Sequence, residues 1–422
     1  MYYAGYRRGR GGYIGGDGRP RPTTIATNGL PPDRELDDGL EKKPIKTLSK
    51  PTDSSGKDIV IKQLEYLGSY NWTNETKPTI LVPGSPAQWR DRCLPYRVQP
   101  DSGIKFVDQN GYRMPSSTLY PLFRAVDIMT EENGNSIDWR SVDFITDRNG
   151  LRKLLRWIND TDGSAKEFRI DTQLAGTRTV LLNRWEKRTR EAGNPQWTTY
   201  GFSFERASTN KVKGCERGTG HHRVVKYDFD GLTLVVRFEV DAFIATSPSR
   251  GVVSSSSNID SLSDMLSGLN VATATSDSMV DSTASTAELD VIRTGSEVPH
   301  SSLIEMTTRS RRNAENYDWG DAYPQLYLSQ TRNHYLAVHN RGEFETITKR
   351  AVDDAEMKRF DRSAQNGFKK LRRVLETIQE LVVEHGQRGR LSLVHRDGQL
   401  QVFDRIKRDG CLPEDMLRCF ED

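Results

Sequence analysis

The stretch VVKYDFDGLTLVVRFEVDAF, residues 224–243, limits the fold more than any other part of the chain. Two runs with strand alternation flank Asp230-Gly231, a dipeptide suited to the positive-φ pair of a type I′ turn, so the stretch reads as a β-hairpin. On its second run Val236, Phe238, Val240 and Ala242 form an apolar face, which requires a core on that side. The other side carries Arg237, Glu239 and Asp241, then Phe243. Residues two apart on a strand point the same way, roughly 6–7 Å apart, so Glu239 and Asp241 share a side. Two carboxylates that close in partial burial need solvent, a basic partner or a bound cation. Oxygen donors of this kind suit Mg²⁺ or Mn²⁺. Such an ion on an acidic cluster serves phosphodiester hydrolysis by polarising the phosphoryl oxygen and activating water. The plainer use of an acid-x-acid pattern is the solvated face of an edge strand.

The rest of the pattern is mixed. YLGSYNW and TILVPG, within 59–115, are strand-like, and LYPLFRAVDIM (119–129) and LRKLLRWI (151–158) have helical spacing. FRIDTQLAGTRTVLL (168–182) reads as a strand pair around Ala175-Gly176, SLIEMTT (302–308) as a strand, and QLYLSQTRNHYLAVH (325–339) as a helix passing into a strand. Phe368, Leu371, Leu375, Ile378 and Val382 mark a helix ending at Gly386, and RLSLVHRDGQLQVF is a second hairpin turning at Asp397-Gly398. Strands and helices alternate without a βαβ rhythm, which predicts an α+β domain with mixed sheets.

Composition sets the borders. A hydrophobic share of only 35% in 422 residues implies long disordered segments beside an ordinary core. Residues 1–55, rich in Arg, Gly, Pro, Asp and Lys, are expected to form a disordered tail, with order beginning near Ile59. Its Arg/Gly/Tyr portion, Tyr2 to Arg21, is either a flexible tail or an RNA contact. Residues 247–300 are expected to form a Ser/Thr-rich disordered insertion, with one short helix at 259–269. Residues 56–422 then make one domain. A net charge of +3 excludes a general polyanion binder, so any nucleic-acid affinity comes from a local patch. Cys93, Cys215, Cys411 and Cys419 lack zinc-ligand spacing and fit a reducing compartment. MYYAGYRRGRGG lacks the apolar core of a signal peptide, and no run approaches a membrane span, so no membrane partner is expected.

Two further acids sit beside apolar residues: Glu205 ends YGFSFE, and Glu305 follows Leu303-Ile304. With ITDRNGLRKLL (145–155), GFSFE (201–205), EVD (239–241), IEMTT (304–308) and PQLYLSQ (324–330) in this order, the chain resembles the DXO-type decapping exonucleases over about residues 60–405. The resemblance implies two β-sheets flanked by helices with a PD-(D/E)xK nuclease-like core. It implies a metal-dependent hydrolase of RNA 5′ ends, removing triphosphate or incomplete caps and trimming 5′→3′. Glu205, Glu239, Asp241 and Glu305 would hold Mg²⁺ or Mn²⁺, Arg148 would contact substrate, and Gln325 would orient water or the scissile phosphate. Apart from the resemblance, Arg309 opens the basic run RSRR directly after the acid-bearing strand, where an RNA backbone would approach. A nuclear 5′→3′ exoribonuclease as partner, and residence in the nucleus with the cytoplasm as a second compartment, also follow from the family.

One position departs from it. Where the family carries Lys two residues after the fourth motif's Glu, this chain has Thr307, which cannot carry charge. Arg309, Arg311 and Arg312 are the nearby cations, and Arg311 would share the face of Thr307 if the strand ran on. Thr307 keeps open a second expectation: a weakened relative that binds RNA or a protein partner without turnover. His221-His222 read as loop residues, and His334 and His339 as core or surface. The chain also looks like fungal proteins labelled geranylgeranyl pyrophosphate synthetases. A prenyl synthase nonetheless needs paired Asp-rich helical motifs, which Asp37-Asp38 and Asp353-Asp354 do not complete.

Overall fold

Asp230 and Gly231 have φ of 53° and 84°, the two left-handed residues of the expected type I′ turn. Asp397 and Gly398, at 52° and 76°, repeat it in the last hairpin. The computed structural model of the chain describes residues 30–52, 55–134, 136–193, 198–245, 279–407 and 410–421.

Along the chain the strands are β1 (Lys46–Leu48), β2 (Ile61–Thr73), β3 (Thr79–Gly84), β4 (Ala87–Trp89), β5 (Tyr96–Arg97), β6 (Ile104–Phe106), β7 (Phe144–Asp147), β8 (Phe168–Ala175), β9 (Thr179–Trp185), β10 (Arg190–Ala192), β11 (Thr209–Asn210), β12 (Gly218–Phe229), β13 (Leu232–Val240), β14 (Ala242–Phe243), β15 (Asp290–Gly295), β16 (Leu303–Ser310), β17 (Asn333–Asn340), β18 (Glu343–Ala351), β19 (Leu391–Arg396) and β20 (Gln399–Asp404). The helices are α1 (Gln109–Arg113), α2 (Tyr120–Glu132), α3 (Arg148–Asn159), α4 (Gly201–Ser208), α5 (Arg311–Ala314), α6 (Trp319–Ser329), α7 (Met357–His385) and α8 (Glu414–Leu417).

An eleven-stranded sheet runs in the order β1-β20-β19-β8-β9-β7-β13-β12-β2-β3-β15, and a seven-stranded sheet in the order β11-β4-β14-β16-β17-β18-β5. Both are mixed. In the larger one, β7 lies parallel to β13 and β9, while β12 and β13 are antiparallel. In the smaller one, β16 is parallel to β17 and antiparallel to β14. β6 and β10 form a separate ribbon. The architecture is α+β, two mixed sheets flanked by helices, as expected.

The even residues of β13, Leu232 to Val240, enter a core with the apolar stripes of α3, α6 and α7. Phe368, Leu371, Leu375, Ile378 and Val382 are all in it, and Gly386 caps α7 at φ 78°. On the other face of the sheet Val224, Val235, Tyr70 and Trp72 pack with α2. β8 is buried at every position because α7 packs on one face and the segment from Leu36 to Leu40 covers the other, where Arg169 donates to the Leu36 and Asp38 carbonyls.

Two expectations need correction. Order begins well before Ile59: Leu36, Leu40 and Leu48 are buried, and β1 pairs antiparallel with β20. Three leucines suffice because they dock on a surface other elements have built, with Trp185, Val394 and Phe403 receiving the first two. The insertion expected over 247–300 ends early. Residues 246–278, with the short helix expected at 259–269, lie outside the described residues. After them Leu289, Val291 and Ile292 are buried, and β15 lies parallel to β3. The GFSFE stretch, left unassigned by its sequence pattern, forms the start of α4, where Phe204 is fully buried and Phe202 and Glu205 are half-buried.

Candidate functional site

The chain passes from the larger sheet to the smaller one within a single residue. β13 ends at Val240, β14 begins at Ala242, and Asp241 lies between. Arg237, Glu239 and Asp241 therefore emerge along the seam of the two sheets. Arg237 is fully buried and makes a two-pronged pair with Asp147, at 2.7 and 2.9 Å. It also donates to Tyr70 Oη at 3.1 Å and to the Thr118 carbonyl at 2.8 Å. With every prong engaged, it fixes the strand and is unavailable to a ligand.

That pair positions the next part. The parallel register sets Asp147, the last residue of β7, opposite Arg237, so Arg148 opens α3 beside the acidic end of β13. Its buried guanidinium donates to Glu305 Oε2 at 3.0 Å and to Ser329 Oγ at 3.1 Å. Gln325, on α6, donates from Nε2 to the other oxygen, Glu305 Oε1. Both oxygens of Glu305 are thus engaged. Asp241 Oδ2 accepts from the backbone N–H of Met306 at 2.7 Å, which ties the seam residue to β16.

Glu205 arrives from α4. Its carboxyl is pushed up to about 8, first by burial and then by Glu239, with Asp101 and Glu305 adding to it. Burial also pushes Asp241 well above the usual carboxylate range, helped by Glu305, Glu205 and Glu239. Glu239 is exposed at the rim while protein crowds its sides. Burial raises its carboxyl too, with Arg184 and Arg148 pulling the other way. Four acids from α4, β13, the seam and β16 therefore act on one another electrostatically, against one directly paired cation, Arg148.

Four carboxylates are a hard-oxygen donor set of the chemistry that Mg²⁺ or Mn²⁺ takes, and their mutual repulsion is what a divalent cation would relieve. Among the described residues, however, no group of three or more His, Cys, Asp or Glu side chains stands in metal-holding geometry. The donor set fits such an ion in chemistry and not yet in spacing.

The other named residues divide. Arg309 shares a face of β16 with Glu305 and Thr307, and its guanidinium lies 5.0 Å from the centroid of the Tyr317 ring. Arg311 does not extend that face: the strand stops at Ser310, and Arg311 opens α5 paired with Glu345. His221 and His222 are not loop residues. They are buried in β12, and His222 pairs in register with Glu239. Burial pushes both imidazoles well below their usual range.

Several contributors had no sequence signal. Gln109 and Glu239 both close on Gly220, where an added Cβ would come within 2.8 Å of one carboxamide oxygen and 3.2 Å of the other side chain's carboxylate oxygen. Thr307 Oγ1 accepts from Tyr317 Oη at 3.4 Å, and His334 Nε2 lies 3.3 Å from the same hydroxyl and 3.0 Å from Tyr317 Oη. His334 is buried, pushed down to about 3 by burial and by Arg350 and Arg309. It is neutral at ordinary pH. Among the described residues, the groups that touch the Thr307 hydroxyl are thus another hydroxyl and an imidazole, with the Arg309 guanidinium further off across the Tyr317 ring.

A family model described as "Domain of unknown function (DUF8563)" matches residues 42–420. No curated protein matches the sequence. Among solved structures, Rai1 of Scheffersomyces stipitis, in complex with (3'-NADP)⁺ and calcium ion, is similar at a TM-score of 0.58 and 12% identity, over 89% of this chain and 99% of its own. Rai1 of S. pombe in complex with 3'-FADP is similar at 0.55 and 12%, over 85% and 99%. Rai1 of Candida albicans in complex with pU5-Mn²⁺ is similar at 0.53 and 12%, over 89% and 99%. At such identity the likeness is one of fold.

Proposed function

Because the chain belongs to the family of domain of unknown function DUF8563 and has the fold of the Rai1 structures, we propose that it is a metal-dependent hydrolase of RNA 5′ ends with a PD-(D/E)xK-like core. The observation that carries this reading is the convergence of Glu205 from α4, Glu239 and Asp241 from the end of β13 and Glu305 from β16 at the seam, where Asp241 is tied to the Met306 amide and Arg148 to Glu305. Carboxylates crowded together in partial burial are rarely gathered without a cation or a proton to offset them. The fold is shared with a Rai1 solved with pU5-Mn²⁺ and another solved with calcium ion, which supports RNA as substrate and Mg²⁺ or Mn²⁺ as the ion.

Glu205, Glu239, Asp241 and Glu305 would hold the ion, directly or through water. When bound, it polarises a phosphoryl oxygen and makes water a better nucleophile. Arg148, already at the Glu305 oxygen, offers its guanidinium to the substrate phosphate. Gln325 orients water or phosphate from the opposite side of Glu305, and Arg309 meets the RNA backbone next along β16. The reading carries removal of 5′ triphosphate or incomplete caps with 5′→3′ trimming, a 5′→3′ exoribonuclease as partner, and residence in the nucleus alone or with the cytoplasm.

The test is direct. The full chain is incubated with 5′-triphosphorylated and with capped RNA, with Mn²⁺ and with chelator, beside Asp241→Asn. Product that needs the ion and is lost in the variant is expected. A second reading, an RNA- or protein-binding relative without turnover, is favoured by Thr307 itself, an uncharged side chain engaged with Tyr317 and His334 where the family carries Lys. RNA that stays intact under every condition while still shifting in a gel would replace the first reading with the second.

A further inference from the structure

Glu305 and Thr307 stand two residues apart on one face of β16, in the middle of the smaller sheet. Behind Thr307 three polar groups touch one another: its own hydroxyl, Tyr317 Oη and His334 Nε2, at 3.0 to 3.4 Å. His334 Nδ1 is buried without a hydrogen-bond partner. An orphaned N–H is rarer in such a place than an orphaned acceptor, which favours the imidazole proton on Nε2. The donors then run one way. His334 Nε2–H donates to Tyr317 Oη, Tyr317 Oη–H donates to Thr307 Oγ1, and the Thr307 hydrogen is left to donate to whatever lies beside Glu305.

We propose that the Thr307 hydroxyl is a neutral hydrogen-bond donor to the reacting phosphoryl oxygens, with Tyr317 and His334 as positioning residues that aim it. This rests on the hydrolase reading and adds to it the group that meets the phosphoryl oxygens beside Glu305. A fixed donor aimed at developing negative charge acts more strongly in a water-poor site than in solution, and a chain of aligned donors strengthens its last member. Packing holds the chain still. Trp319 meets the rings of Tyr317 and His334 edge-on at 4.8 and 5.1 Å, and Phe360 stacks on Trp319 at 4.7 Å. Because the donor is a hydroxyl, this position contributes no group that titrates between neutral and alkaline pH.

The experiment uses the full chain, Mn²⁺ and 5′-triphosphorylated RNA, with Thr307→Val, Thr307→Ser and Tyr317→Phe. Thr307→Val is expected to lower kcat about 100-fold, as loss of one such donor does elsewhere, while KM moves less than about threefold. Thr307→Ser restores most of that loss, and Tyr317→Phe, which removes only the aiming hydroxyl, falls between. Melting temperatures separate these effects from misfolding. An active wild type with Thr307→Val equally active, or with Thr307→Ser as poor as Thr307→Val, overturns this inference alone. A wild type without turnover overturns the hydrolase reading and this inference with it.

Discussion

Glu205 makes the site testable without RNA. In the unfolded chain its carboxyl titrates near 4.5, and in the folded chain at about 8. Between those values the folded chain keeps a proton that the unfolded chain has released. Stability therefore falls as pH rises through that window and levels off above it. The melting midpoint of the metal-free protein is expected to drop from about pH 5 to about pH 8, and Glu205→Gln to flatten the drop. Mn²⁺ should raise the midpoint more at the upper pH than at the lower. An unchanged slope in Glu205→Gln would remove the electrostatic case for the site. Arg237 supplies a second check: Arg237→Met leaves Asp147 buried and unpaired, and is expected to cost roughly 3–5 kcal/mol in urea unfolding. At this scale the sequence disclosed the acids but not their company. Glu239 and Asp241 were legible because strand period puts them on one side. Tyr317 and His334 were not, because Tyr317 comes from the turn before α6 and His334 from β17, whose parallel register sets it opposite Glu305.

Among the elements, those with a clean period were legible and those held by their neighbours were not. The hairpin at 224–243 and the helix ending at Gly386 could be read from the residues alone. Gly201–Ser208 could not be assigned because its aromatics alternate while the segment is a helix, with Phe204 inside between Tyr96 and Phe344 at 6.3 and 4.5 Å and Phe202 half-buried. β15 was hidden because composition was averaged over a long Ser/Thr-rich stretch, and the apolar trio Leu289, Val291 and Ile292 is short. Close contact between elements gives a prediction of its own. Gly68 on β2 lies under α2, where an added Cβ would meet the Ala125 carbonyl oxygen at 3.1 Å and Val126 Cα at 3.2 Å. Both are backbone atoms of a helix and cannot turn aside. Gly68→Ala is expected to lift α2 from the sheet and lower stability by about 1–3 kcal/mol, read as a lower urea midpoint with an unchanged slope. A neutral substitution would mean that α2 slides freely on β2.

For the whole molecule the relevant boundary is the N-terminal one. A chain begun at residue 56, where composition put the end of the tail, would lose β1 and the buried Leu36, Leu40 and Leu48. At roughly 2 kcal/mol for each buried leucine, the loss is on the order of 6 kcal/mol, a large part of what holds a domain together. Such a truncation should unfold at markedly lower urea, whereas a chain begun at residue 30 should match the full one. Equal midpoints for both truncations would show that the leucines contribute little. Asp241 has a consequence at the same scale. The polypeptide steps from one sheet to the other at this residue, and its carboxylate is already fastened to the far sheet through the Met306 amide. Any ion that draws Glu239 and Glu305 together must pull the two layers toward each other, so loading the site would act as a rivet through the molecule. Amide protons along β13 and β16, far beyond the atoms the ion touches, would then exchange more slowly with solvent deuterium.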